Sequence, residues 1–209
     1  MKYFSTLPSI SQSDFNGKYL TTTNLLARAY LLQQLQNNLY LYYDYSIKDH
    51  DKPETIAYKF YNDQYRYWMI FYANGIMDPL SEWPLDHYNF YLYLSDKYKD
   101  EANTANMDPV TYTRATIHHY EQSITTYNDV DMVKSKVTIQ IDKPTYDSIV
   151  PNTISNMLPD NSTVYKEIDK KVVYLFDYEY DLNEKKRNIK LIKDTYAIQM
   201  DSQLSSVMS

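Results

Sequence analysis

The chain reads as an α+β protein on three patterns. A β-rich run at Tyr42, Tyr43, Tyr45 and Ile47 is followed by two stretches of helical spacing, Ile56, Ala57, Phe60 and Tyr61, then Tyr67, Trp68, Ile70, Phe71 and Tyr72. In the middle third, Val133, Val137, Ile139 and Ile141 alternate as a strand does. Toward the end, Leu175, Tyr178, Leu182, Ile189 and Ile192 form one helical stripe.

Taken in order, residues 1–20 predict an irregular arm with Pro8 in a Ser/Gln/Asn-rich stretch. Leu25, Leu26, Ala29, Leu32 and Leu35 then mark an amphipathic helix capped by Asn24. The polar turn 48–52 leads to Pro53, whose fixed φ suits a first helical position, and Glu54 favours the positive end of the helix dipole. The second helix stops at Asn74-Gly75, where a positive φ is available, and Asp78-Pro79 bars its continuation. Leu85-Asp86 reads as a hydrophobic staple and N-cap for a helix carrying Tyr88, Tyr91, Leu92 and Tyr98. After a polar break at 103–108, Val110, Tyr112 and Thr116-Ile117 read as strand, as does the run ended by Asp142 and Pro144. Pro151 and Pro159 bracket a loop-like insert. The C-terminal helix carries Asp181 and Lys185 as an i,i+4 pair on its solvent side, and Leu204, Val207 and Met208 suggest a last short helix.

The order strand, helix, helix, turn over residues 42–84 resembles the LysM-type βααβ module. In detail it is similar to the Tyr- and Trp-rich version in the small baseplate wedge subunit of contractile-tailed bacteriophages. The resemblance is carried by Pro53-Glu54, Ile56-Ala57, Tyr61, Tyr67-Trp68, Asn74 and Trp83-Pro84, with Arg28 before them and FYLYLSDKY at 90–98 after. Near the end, YEYDLNEKKRNIKLI at 178–192 resembles the family's terminal helix, with Tyr178 at its start and Asn183, Glu184, Lys185 and Arg187 in its polar core. Ile117-His118-His119-Tyr120-Glu121 is the anchor between. The resemblance implies four segments: an N-terminal arm and helix (1–41), a LysM-like module and following helix (42–99), a strand-containing middle region (100–175) and a C-terminal helical segment (176–209).

Composition narrows the functions. Only Gly17 and Gly75 are glycine while 25 residues are tyrosine, so the chain is poor in flexible hinges and rich in rigid rings with a polar tip. A good share of those rings is expected on surfaces covered by partner subunits. Two distant glycines cannot build a phosphate-cradling loop, and a net charge of −6 argues against a nucleic-acid surface. With no Cys there is neither a disulfide framework nor a thiolate metal site. His118 and His119 are adjacent, so in a strand they would point to opposite faces, and His50 and His87 lie in or near turns, so no metal site is expected. The acid pairs Asp49/Asp51 and Asp177/Glu179 sit on a polar turn and at a charged helix start, with no activated nucleophile beside them. Lys185-Lys186-Arg187 is the one dense basic run, read as a solvated helix face or a contact for an acidic partner. Asn161-Ser162-Thr163 has the form of a glycosylation sequon and reads as a turn. The segment MKYFSTLPSISQSDF lacks the apolar core of a signal peptide, and no apolar run approaches the ~20 residues that span a bilayer.

The expectation is a non-enzymatic structural subunit without cofactor, made in the host cytoplasm and resident in the virion at the tail baseplate. The resemblance implies partners among the other wedge subunits, the neighbouring wedges and the central hub or tube region, with no nucleic acid and no membrane insertion. The competing expectation is a LysM-type carbohydrate-binding module for cell-wall N-acetylglucosamine polymers, since crowded aromatics serve sugars and proteins alike. A small hydrolase is a third.

Overall fold

The computed structural model describes residues 7–13, 15–24, 39–128, 134–159 and 162–208, without the side chains of Leu39, Val207 and Met208. The helix expected over 25–35, with Arg28, lies outside these residues, as do Val133 and Asn161. The protein is α+β. Strands β1 (Ser9–Ser13), β2 (Tyr19–Thr23) and β3 (Tyr42–Ser46) precede helices α1 (Pro53–Tyr61), α2 (Tyr67–Asn74) and α3 (Pro79–Glu82). Next come α4 (His87–Lys97), α5 (Lys99–Thr104), α6 (Pro109–Ala115), β4 (Ile117–Asn128), β5 (Lys134–Ile141), α7 (Lys143–Ser148), β6 (Asn152–Met157) and β7 (Thr163–Tyr174). The chain closes with α8 (Leu175–Lys185), β8 (Asn188–Ile192) and α9 (Asp194–Met208). It divides into two compact units, Met1–Asp86 with Asn183–Ser209, and His87–Leu182.

In the first unit the elements of 42–84 form as the residues dictate, with one exception. Pro53 opens α1, whose apolar face buries Ile56, Ala57 and Tyr61, and Asn62 ends it in the left-handed region. Asp63 then accepts from the Tyr65 amide and starts a 3-10 turn, Gln64–Arg66. In α2, Trp68, Met69, Ile70 and Ala73 are buried, and Gly75, at φ 66, closes the helix so that the Ile76 amide reaches back to the Phe71 carbonyl at 2.9 Å. Of the rings at helical spacing, Trp68 is fully buried while Phe60 and Phe71 are half-buried. The exception is the second strand. Residues 42–84 do not supply it: after Gly75 the chain turns at Asp78-Pro79 into α3, whose cap is Asp78. The partner of β3 is β8, antiparallel in the register Tyr42↔Ile192 to Ser46↔Asn188.

The helix expected through 178–192 therefore stops early. Asn183 and Glu184 carbonyls accept from the Lys186 and Arg187 amides in a tight turn, and Ile189 and Leu191 then bury alternate positions of a strand. A stripe that fits period 3.6 at Leu175, Tyr178 and Leu182 breaks there, because the spacing Ile189, Leu191 has period 2. Behind β8, α9 adds Ala197 and Leu204 to the same core. Of the arm expected at 1–20, the described residues form a hairpin instead: β1 pairs with β2 from Ser9↔Thr23 to Ser13↔Tyr19, around a loop holding Asn16-Gly17 with Gly17 at φ 76. Asn-Gly is a strong hairpin signal, and it went unused in the reading of the sequence.

The second unit combines helices α4, α5, α6, α7 and most of α8 with a four-stranded antiparallel sheet of order β5-β4-β7-β6. The helix expected after Asp86 forms as α4, but on another face: Phe90 and Leu94 are buried while Tyr88 and Leu92 are exposed. Two further expectations fail here. Val110 and Tyr112 lie in α6, where Asp108 accepts from the Thr111 amide and Pro109 takes the first turn, a start signal that outweighs two β-favouring residues. Between Pro151 and Pro159 the chain forms β6 rather than a loop, because Pro at the flanks leaves the edge strand between them intact. Val137, Ile139 and Ile141 do alternate in β5.

Candidate functional site

Of the two segments that carry the family resemblance, the first, 42–84 with Leu85 just after it, and residues 183–192 of the second meet within the first unit through three polar side chains. Asn74, at the end of α2, behaves as a one-residue strand. Its Nδ2 donates to the Lys190 carbonyl at 2.8 Å and its Oδ1 accepts from the Lys190 amide at 2.8 Å, while Nδ2 also holds the Ile70 carbonyl at 2.8 Å. These groups are 116 positions apart in the chain. Asn183 repeats the device: it accepts from the Leu85 amide at 2.7 Å and donates to the Leu85 carbonyl at 2.9 Å, and its side chain is buried. An amide can satisfy a backbone donor and acceptor together, which neither a carboxylate nor an ammonium can.

Arg187 is the third. Its Nε meets Glu184 Oε1 at 2.7 Å and Nη2 meets Asp49 Oδ1 at 2.8 Å, while Nη1 donates to the Ile47 carbonyl at 3.2 Å. Burial works against its charge, but the Glu184 and Asp49 carboxylates hold its pKa above the usual arginine value. Opposite it, Trp83 Nε1 donates to the Asp51 carbonyl at 3.2 Å, and Asp51 Oδ2 accepts from Tyr45 at 2.7 Å. Burial first, then the bond to Asp51, raises that phenol to about 12. The 48–52 turn is thus held by groups from both segments. In the 3-10 turn that follows α1, Arg66 Nη2 pairs with Asp201 of α9 at 2.8 Å.

The aromatic residues knit the same unit. Phe71 lies edge-on to Tyr67 at 5.6 Å and to Trp83 at 6.2 Å, and Trp68 edge-on to Tyr72 at 5.5 Å. Tyr61 is buried, which raises its phenol. Of the site residues read from the sequence, Pro53, Tyr61, Tyr67, Trp68, Asn74, Trp83, Asn183, Glu184 and Arg187 share this unit, and Lys185 is exposed beside them. Tyr178 belongs to the second unit, where its ring stacks on His118 at 3.8 Å. The basic run is neither a free solvated face nor an open patch: Arg187 is spent on Asp49 and Glu184, and Lys186 Nζ donates to the Ser81 carbonyl at 2.8 Å.

Two groups in the second unit escaped the sequence reading. Glu179, one of the acid pair at the charged helix start, is 5% exposed and accepts from Lys97, Tyr98 and Tyr93 at 2.8, 2.8 and 3.1 Å. Burial pushes its carboxyl up, but the bonds from Lys97 and Tyr98 outweigh that and hold it below the ordinary glutamate value. Asp181 and Lys185, expected as an ion pair, are both exposed, and the charge pairing of this helix is Lys97–Glu179 and Arg187–Glu184. The histidines do not point apart either. A register shift between Ile117 and His119 brings their Nδ1 atoms to 2.7 Å, as a bulge does. Adjacent identical residues give no sign of such a bulge.

A groove of about 240 Å³ opens in the first unit between Leu41, Tyr42 and Ile192 on one side and Tyr196, Gln199 and Met200 of α9 on the other. That is below the roughly 300 Å³ at which small-molecule sites begin. Among the described residues no group of three or more His, Cys, Asp or Glu could hold a metal ion, and no helix is long and apolar enough to cross a membrane. Asn74, Asn183 and Lys186 direct their polar groups at this unit's own backbone. No protein-family model matches the chain, and no curated protein matches it.

Proposed function

We propose that the chain is a non-enzymatic structural subunit of a contractile phage tail baseplate wedge, built on a LysM-like βααβ module interrupted by an inserted unit. One observation carries the reading. The first segment that resembles the wedge subunit and residues 183–192 of the second, separated by about a hundred residues, are tied together in one unit by Asn74, Asn183 and Arg187, themselves among the residues of the resemblance. A module of this kind, closed by the C-terminal segment, offers its remaining surface to partners: other wedge subunits, neighbouring wedges and the central hub or tube region. Ten of the 25 tyrosines are exposed among the described residues, Tyr40, Tyr58 and Tyr88 most fully with Tyr19. Such rings bury large area at low entropic cost when subunits meet.

The test is a mass-spectrometric inventory of purified tails, joined to co-sedimentation of the chain with the other tail subunits. Recovery of this polypeptide in intact particles, and its co-sedimentation with wedge components, is the expected result. Absence from particles, together with tight binding of soluble N-acetylglucosamine oligomers, would reject the wedge role in favour of the carbohydrate-binding alternative.

A further inference from the structure

The four-stranded sheet of the second unit has one aliphatic and one polar face. Register places Val137, Ile124 and Ile168 side by side in one row, with Ile139 and Ile154 on the same face. The opposite face carries Glu121, Asp169 and Glu167 among Ser, Thr and Lys, together with the stacked rings of Tyr127 and Tyr165 and the buried Val173 at one end. An antiparallel sheet of this kind covers its apolar face. Here Val137, Ile139 and Ile154 remain 55, 46 and 42% exposed. Across the paired strands that face has no carboxylate; its charges are Lys166, beside Ile154, and Lys170. Lys170 is held by the Tyr146 carbonyl at 2.8 Å, whereas Lys166 is exposed and makes no ion pair with any described residue.

The two edges differ as well. β5 bears Lys134 and Lys136, the kind of charge that blunts strand addition. β6 is an edge of six exposed residues, Asn152–Met157, with no charge and no proline inside it. An uncharged edge that carries an exposed aliphatic side chain, Ile154, is the arrangement that accepts an added strand, the main chain supplying the bonds and alternate side chains the selectivity.

We propose that the outer edge of β6 receives an extended segment of another polypeptide, aliphatic on the face that continues Ile154 and carrying a carboxylate toward Lys166. Charge complementarity selects this partner over a second copy. A second copy presents the same carboxylate-free face and leaves both Lys166 side chains without an opposite charge. The proposal does not depend on the wedge assignment.

The experiment uses the full chain, labelled with ¹⁵N, and two capped seven-residue probes. The first alternates threonine with valine, glutamate, valine; the second has lysine in place of glutamate. Amide shifts confined to Asn152–Met157 and its β7 neighbours are expected, with the glutamate probe binding about five-fold more tightly, as an exposed charge pair against a repulsion allows. Lys166→Glu should invert that order while leaving the spectrum otherwise dispersed, and the uncharged Ile154→Asn should weaken both probes. The proposal is overturned by shifts at Lys134–Ile141 instead, by no shift at β6 up to the solubility of the probe, or by an order that Lys166→Glu does not change. A chain that dimerises through β6 in the absence of probe would assign the edge to a second copy and equally reject it.

Discussion

The two units solve the problem of a core differently. The first gathers Ile56, Met69, Ile70 and Leu191, all essentially inaccessible, from both ends of its chain, and closes that core with amide clamps and an arginine. The second is one continuous stretch, His87–Leu182, yet its buried apolar side chains are Phe90, Leu94, Ala102 and Val173 alone among the described residues, and every residue of the central strand β4 stays at least partly exposed. Contiguity in sequence and depth of core are therefore decoupled. The discontinuous unit is the one with the interior, and the continuous one has spent its β-branched residues on a surface.

That contrast is broken most directly by truncation. Ending the chain at Leu182 removes β8 and α9, with Ile189, Leu191, Ala197 and Leu204. The first unit should lose all slow amide exchange, while the sheet of the second keeps its protection. Persistence of the slow amides of α1 and α2 would show that residues 42–84 stand alone. Within the intact chain, Trp68→Ala should cost about 3–5 kcal/mol by urea unfolding, since the ring is 3% exposed and little around it can collapse. A loss under about 1 kcal/mol would contradict the burial. Asn74→Ala should follow at about 2–3 kcal/mol, because it leaves the Lys190 amide and carbonyl without their partner. Asn74→Asp should recover only part of this, as a carboxylate cannot donate to the two carbonyls.

How far the sequence carried can be judged from the same residues. Caps and turns were legible wherever a local signal fixed the backbone, as at Pro53 and Gly75, because φ restrictions act at a single position. The long-range pairing of β3 with β8 was not, since the two strands are each only five residues long and share no local signal. The site residues Asn74, Asn183 and Arg187 were singled out by resemblance, whereas their partners Lys190, Leu85 and Asp49 are mostly backbone groups that any residue could have offered. Glu179 was misread for a related reason: a carboxylate at helical spacing looks solvated until a second helix brings Lys97 and two tyrosines to it.

Glu179 gives the next smaller effect. Its folded pKa lies below the ordinary glutamate value of 4.5, so its bonds stabilise the fold above that value and the contribution disappears as pH falls through the lower folded one. Lys97 works in the opposite sense: its folded pKa lies above 10.5, so its share is present below that value and is lost as pH rises through the higher one. Glu179→Gln should cost about 1–2 kcal/mol at neutral pH, discounted because Lys97 is 43% exposed. The gap between variant and parent should close in acid. A pH-independent difference would mean that the hydrogen bonds matter and the charge does not.

The smallest effect is the most telling about the second unit. Ile139→Thr keeps a β-branched side chain on the aliphatic face of the sheet, and Ile139 is already 46% exposed, so its removal forfeits little buried surface. The expected change in stability is within about 0.5 kcal/mol, against several for a comparable truncation at Leu191 in β8. Urea unfolding of the two variants side by side measures it. Near-neutrality would mean that isoleucine at this position is not required by the folded chain, and that the aliphatic row is available to whatever covers it. A loss of 2 kcal/mol or more would instead show that the face is packed in solution, and the division between a unit built around its interior and a unit built around its surface would fall.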